Sequence, residues 1–181
     1  PKPVDGLPSP RVLSPQAGGA GVVWVGTAGE GLVRVEPGRT ATVAATAGLP
    51  SSHIFGLVTD RVGGLWGSTV SGVFRVGLAE LDEHLAGTRD TLEVTTYGIK
   101  DGLAAAEGAR TFASPAVRGG DGALIFATVG GVVLFDPPER RRPLPAPAIV
   151  FEGAHARGVA HPLGATGLSL DGPMPSLQVS F

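Results

Sequence analysis

The sequence predicts an all-β chain of short antiparallel strands, and three observations carry that prediction. Short runs of Val, Thr and Leu are separated by tight turns, with 29 glycines and 16 prolines in 181 residues, which is the punctuation of hairpins. Hydrophobic residues make up 43% and charged residues only 17%, enough apolar surface to build a sizeable core. The third observation is an internal repeat. Gly6-Leu7-Pro8-Ser9 returns as Gly48-Leu49-Pro50-Ser51, and Trp24-Val25-Gly26-Thr27 returns as Trp66-Gly67-Ser68-Thr69, both displaced by 42 positions. Two independent anchors displaced by one amount indicate duplication.

The repeat orders the strands. Asp60-Arg61-Val62-Gly63-Gly64-Leu65-Trp66 aligns with Gly18 to Trp24, the Asp being lost in the first copy. A looser third copy has Gly102-Leu103-Ala104 in place of Gly-Leu-Pro. It continues as Gly122-Ala123-Leu124-Ile125-Phe126-Ala127-Thr128, with Ile125 in the Trp slot. A glycine-led strand follows each Thr: Gly31 to Val35, Gly72 to Val76 and Gly131 to Phe135. A period of ~42 residues made of short strands is the length of one four-stranded propeller blade. The fold expected is therefore a partial β-propeller of about three four-stranded blades, over residues 1–47, 48–101 and 102–137. In the second copy the innermost strand is expected over His53 to Asp60, the second over Leu65 to Val70, the third over Gly72 to Val76 and the outer one near Leu92 to Tyr97. In the first copy the outer strand is expected over Thr40 to Thr46.

The second and third copies are separated by roughly 17 extra residues. Leu78, Leu81 and Leu85 fall at i, i+3 and i+7, one face of a helix, and Gly87 is a suitable stop. A two-turn helix is expected over Leu78 to Ala86. Beyond the repeats, five prolines between Pro137 and Pro147 have a linker composition, placed at residues 138–147. Residues 148–181 are expected to begin a β-sandwich module that is cut off, with strands near Ala148 to Glu152, Gly167 to Leu170 and Leu177 to Phe181.

Gly48-Leu49-Pro50-Ser51-Ser52-His53, then Asp60-x-x-Gly63-x-Leu65-Trp66, then Thr69 and Gly72-Val73-Phe74-Arg75 together resemble the two-component regulator propeller repeat. The second copy departs from the family pattern at Gly67-Ser68, and the third lacks both Trp and Pro. The resemblance implies the extracytoplasmic sensor region of a bacterial hybrid histidine kinase or related signalling protein, on the periplasmic or outer side of the inner membrane. It also implies that the last blade leads into a Tyr-rich β-sandwich, with Phe135-Asp136-Pro137 at the junction, and that any kinase or other output domain lies outside this chain. The ligands of such relatives are often carbohydrates.

Composition excludes several other classes. The net charge is −2, and the only basic cluster, Arg140 to Arg142, follows Glu139 among prolines, whereas nucleic-acid binding needs a basic stripe. No cysteine is present, which excludes disulfides and thiolate chemistry. The longest uncharged stretch, Val12 to Gly29, contains Pro15 and five glycines and is no membrane span. No signal peptide is visible at Pro1-Lys2-Pro3, and a start without Met inside a motif suggests an excised piece. No phosphate loop, dinucleotide fingerprint or nucleophile elbow occurs, so no cofactor and no catalytic residue is expected. His53, His84, His155 and His161 do not fall at metal-ligand spacing. Successive side chains of Asp82-Glu83-His84 diverge around a helix and are read as a solvated face, so no metal site is assigned.

The anchors Trp24, Trp66, Ile125, Gly26, Gly63 and Gly72 are read as structural, the two Trp and Ile125 as equivalent buried residues on second strands. Trp24 and Trp66 could instead offer rings for sugar stacking, but recurrence at one point of the repeat favours the core. His53, opening an inner strand after the Gly-Leu-Pro-Ser turn, is the best ligand-binding candidate, and Arg110, near the corresponding turn of the third copy, is the next. The function expected is a non-catalytic sensory segment that binds a ligand or partner. The alternatives are a propeller-fold enzyme such as the streptogramin lyases, which share a similar repeat period, and a purely structural scaffold. About three blades fall short of the ~4–8 of a closed ring, so the copies are expected to sit beside further blades of the parent chain or to self-associate.

Overall fold

The computed structural model describes residues 11–109, 115–140, 153–156, 159–161 and 177–180. The chain divides into two compact units, residues 1–141 and 142–181. In the first unit, β1 (Val12–Gly19), β2 (Val22–Thr27), β3 (Leu32–Glu36) and β4 (Arg39–Val43) form one antiparallel sheet in sequence order. A second sheet repeats that plan with β5 (Gly56–Thr59), β6 (Gly64–Ser68), β7 (Val73–Gly77) and β8 (Thr95–Tyr97). Helix α1 (Leu78–Leu85) lies between β7 and β8 in sequence. A third sheet contains β9 (Ala116–Arg118), β10 (Leu124–Thr128) and β11 (Gly131–Phe135). The second unit has one antiparallel sheet in which β12 (Gly153–Ala156) lies between β13 (Val159–His161) and β14 (Leu177–Ser180). The expected strand at Leu177 is present, and the one near Ala148 to Glu152 falls on residues not described, as does Gly167 to Leu170.

The chain is therefore all-β with propeller-like blades. First strands of successive sheets touch, β1 with β5 and β5 with β9, while α1 packs on β4 and β7. That is a wedge, close at the inner strands and filled by the helix further out. Strand alternation then sends side chains to two faces. Trp24 pairs across with Arg34, Trp66 with Arg75 and Ile125 with Leu134, so the three are equivalent in register. Trp24, Leu32 and Val43 from the first sheet meet Leu57, Leu65, Phe74 and Val76 from the second in one core, which Leu81 and Leu92 complete. Val58, Trp66 and Val73 meet Leu124 and Phe126 in the next core. Each Trp is thus the inter-blade core residue of its own blade, and Trp66 stacks on Tyr97 with ring centroids 5.5 Å apart.

Several expectations need correction. Ile125 has the predicted register but is only half-buried, because its face is the one turned away from the second blade. The third blade has three strands among the described residues. The innermost strand of the second blade starts at Gly56, and His53 forms only an isolated bridge with Ala28. The outer strand of the second blade is limited to Thr95–Tyr97, because Leu92 turns into the core against the helix. In the first blade β4 starts at Arg39 and stops at Val43, and a 3-10 turn over Ala45–Ala47 replaces its expected end. The helix has its expected span to within one residue, with Leu81 fully buried and Leu78 and Leu85 packed beside it.

Candidate functional site

The motif residues with chemical character are held by the fold. Asp60 has a fully buried carboxylate. One oxygen accepts from the N–H of Gly64 at 2.6 Å and of Val62 at 3.1 Å, which closes the β5–β6 hairpin around Gly63 at φ +85°. The other accepts from Trp66 Nε1 and from Arg75 Nε, both at 2.9 Å. Burial is the largest influence on this carboxyl and pushes its pKa up. The hydrogen bonds from Trp66, Gly64 and Arg75, with the charge of Arg75, outweigh burial and hold it below the ordinary 3.8. Asp-x-x-Gly-x-Leu-Trp is thus a packing device that fixes the indole. Where the first copy has Gly18, an added Cβ would lie 2.8 Å from the Trp24 ring, so the ring takes the space that the Asp side chain would need.

The recurrent Thr has a second structural use. Thr27, Thr69 and Thr128 each donate their hydroxyl to the carbonyl of the glycine that opens the third strand, Gly31, Gly72 and Gly131, at 3.0 to 3.1 Å. The carbonyls of the first two then hold the segment entering the next blade. Ile54 N–H donates to Thr27 O at 3.0 Å and Gly108 N–H to Thr69 O at 2.8 Å. This close approach explains Gly26, where an added Cβ would stand 2.6 Å from the Ile54 carbonyl. Gly72 sits at φ +142° with the Tyr97 carbonyl against it, so no side chain fits there.

His53, the first candidate ligand residue, lies on the segment that crosses from the first blade to the second. His53 is exposed; its backbone N–H donates to Ser51 Oγ at 3.0 Å, and its Nδ1 is 3.3 Å from Ser52 Oγ. The same crossing segment supplies Pro50 to a cleft of about 180 Å³ that Thr69, Ser71, Gly72, Val73 and Thr96 also line. Hydroxyls on an otherwise small-residue cleft can exchange hydrogen bonds with a neutral polar ligand. Arg110 lies outside the described residues. Among the described residues no group of three or more His, Asp or Glu converges as a metal site would require.

In the Asp82-Glu83-His84 run Asp82 and Glu83 are exposed and His84 is half-buried, and each makes a surface contact. Asp82 Oδ1 stands 3.2 Å from Arg34 Nε as a charge contact; the N–H is not aligned on it, so no hydrogen bond forms. Glu83 accepts from Arg89 Nε at 2.8 Å, and His84 Nδ1 donates to the Arg89 carbonyl at 2.9 Å. Sequence reasoning missed the Asp60–Arg75 pair and the hydroxyl role of the Thr. The signals were there: Arg at the same third-strand position in two copies, and Thr three or four residues before Gly in all three.

No protein-family model matches the chain, and no curated protein matches it. Among solved structures it is similar to the extracellular domain assigned to the hybrid two component system BT3049 of B. thetaiotaomicron. The TM-score is 0.54 at 18% identity, over 85% of this chain and 20% of that one. A streptogramin B lyase structure gives a TM-score of 0.47 at 12% identity, over 73% of this chain and 42% of that one. The chain spans a fifth of the first neighbour's length and less than half of the second's. At such identities the first likeness is one of fold.

Proposed function

We propose that the chain is a ligand- or partner-binding segment of an extracytoplasmic sensor region in a two-component-type signalling receptor, and that it is not itself catalytic. The observation that carries this reading is the use of the motif residues. Asp60, Trp66 and Arg75 bind one another and the hairpin backbone, which leaves recognition to the crossing segments and turns. Loops held on a rigid sheet scaffold are where binding residues concentrate. His53 and the hydroxyl-lined cleft beside Pro50 are the contact points there. The fold shared with an extracellular two-component domain supports the setting, and among the described residues no helix is long and apolar enough to cross a membrane.

The resemblance to regulator propeller repeats suggests carbohydrate as the ligand class. Calorimetric titration with a panel of soluble oligosaccharides tests this on the wild-type chain and on His53→Ala. At least one sugar is expected to give a saturable heat, weakened tenfold or more by His53→Ala with an unchanged melting temperature. Turnover of a sugar, equal binding by the variant, or no heat from any sugar rejects the reading.

A further inference from the structure

Arg34 and Arg75 hold the same place in two blades, each opposite the Trp of its second strand. Their guanidinium groups are satisfied differently. Arg75 Nε donates to the buried Asp60 carboxylate at 2.9 Å. The first copy has Gly18 where that Asp would stand, and Arg34 Nε is buried with no hydrogen-bond partner. Glu36 Oε1 lies 2.7 Å from Arg34 Nη1, while Asp82 Oδ1 lies 3.2 Å from Nε without being aligned on its N–H.

A cleft of about 260 Å³ opens at this group, lined by Arg34, Arg39, Asp82, Leu85 and Ala86. That is less than the roughly 300–1,000 Å³ of pockets for drug-sized ligands, so it suits a small molecule. Arg39 is exposed and makes no ion pair among the described residues. The β3–β4 hairpin thus supplies two positive charges to one wall. Helix α1 supplies the other wall, with the carboxylate of Asp82, the apolar Leu85 and Ala86, and the negative end of its dipole, since Leu85 is its last residue. Glu36 is held on Arg34 and does not line the cleft.

We propose that this cleft binds a small apolar α-amino acid as its zwitterion. The carboxylate bridges Arg34 and Arg39, whose planar forks match it. The ammonium group meets Asp82, and the side chain lies on Leu85 and Ala86. A simple anion would leave Asp82 facing a like charge, and a simple cation would face two arginines. A ligand carrying both charges matches the whole lining. The site shares no residue with the cleft beside Pro50 and stands independently of the ligand proposed there.

Saturation-transfer NMR on the whole chain, titrated with L-valine, is expected to show saturable binding. N-acetyl-L-valine lacks the ammonium group and L-valinamide lacks the carboxylate. Each is expected to bind about tenfold more weakly or worse, the worth of one charged hydrogen bond. Arg39→Gln and Asp82→Asn are expected to weaken L-valine by a similar factor with an unchanged melting temperature. Arg39 is exposed, so its replacement tests the cleft without opening a core. No binding of L-valine, equal binding of either derivative, or wild-type affinity in either variant overturns the proposal.

Discussion

Replacing Asp60 by Asn keeps the side chain's size and removes the charge that Arg75 and the Trp66 indole both address. Asp60→Ala goes further and leaves a buried indole N–H, two hairpin N–H groups and a guanidinium without their acceptor, a loss of about 3–5 kcal/mol in thermal or chemical unfolding. The pH dependence has a defined sign. A carboxyl held below its ordinary value in the folded state stabilises fully above its unfolded pKa, and that contribution is lost as pH falls through the folded pKa. The melting temperature of the wild type is therefore expected to drop on acidification below the ordinary 3.8, and Asp60→Asn to show a shallower drop over the same range. Trp66→Ala is expected to cost about 3–5 kcal/mol, and Ile125→Ala less than about 2, since only the first leaves a cavity in a packed core. A loss below ~1 kcal/mol at Trp66 would mean that the ring is not core. The equivalence of Trp24, Trp66 and Ile125 was legible in the sequence because the frame of Gly, an apolar residue and Thr around them is repeated. Their unequal burial was not, because it depends on which blade has a neighbour.

At the scale of single elements, the Thr clasp predicts that Thr69→Val, close in volume, costs about 1–2 kcal/mol through the lost bonds to Gly72 and Ser71. Unfolding by denaturant measures it, and no change would reduce the Thr to a marker of the repeat. Leu81→Ala in the inserted helix is expected to cost about 2–5 kcal/mol, since Leu81 plugs the outer part of the core between the first two blades. The helix was legible from three leucines at helical spacing and a stopping glycine. The Arg34–Asp82 contact had no local signal, because Asp82 sits on an insertion that the repeat does not contain.

For the whole molecule, the repeat made the blade plan legible, since a fixed period reports architecture directly. The candidate site was legible only at His53. The Pro50–Ser71 cleft joins a crossing segment to a turn of the following blade, and no spacing in the sequence encodes that meeting. The account holds that successive blades are joined where the carbonyl of a recurrent Thr receives the chain entering the next blade. Amide hydrogen exchange, read residue by residue, tests this most directly. Ile54 and Gly108 lie outside the named strands, yet their N–H groups donate to Thr27 and Thr69. They are expected to exchange as slowly as the amides of β6, whereas an exposed loop amide such as that of Ala104 exchanges quickly. Exchange of Ile54 and Gly108 at loop rates, with β6 still protected, would contradict the stacking of one blade on the next.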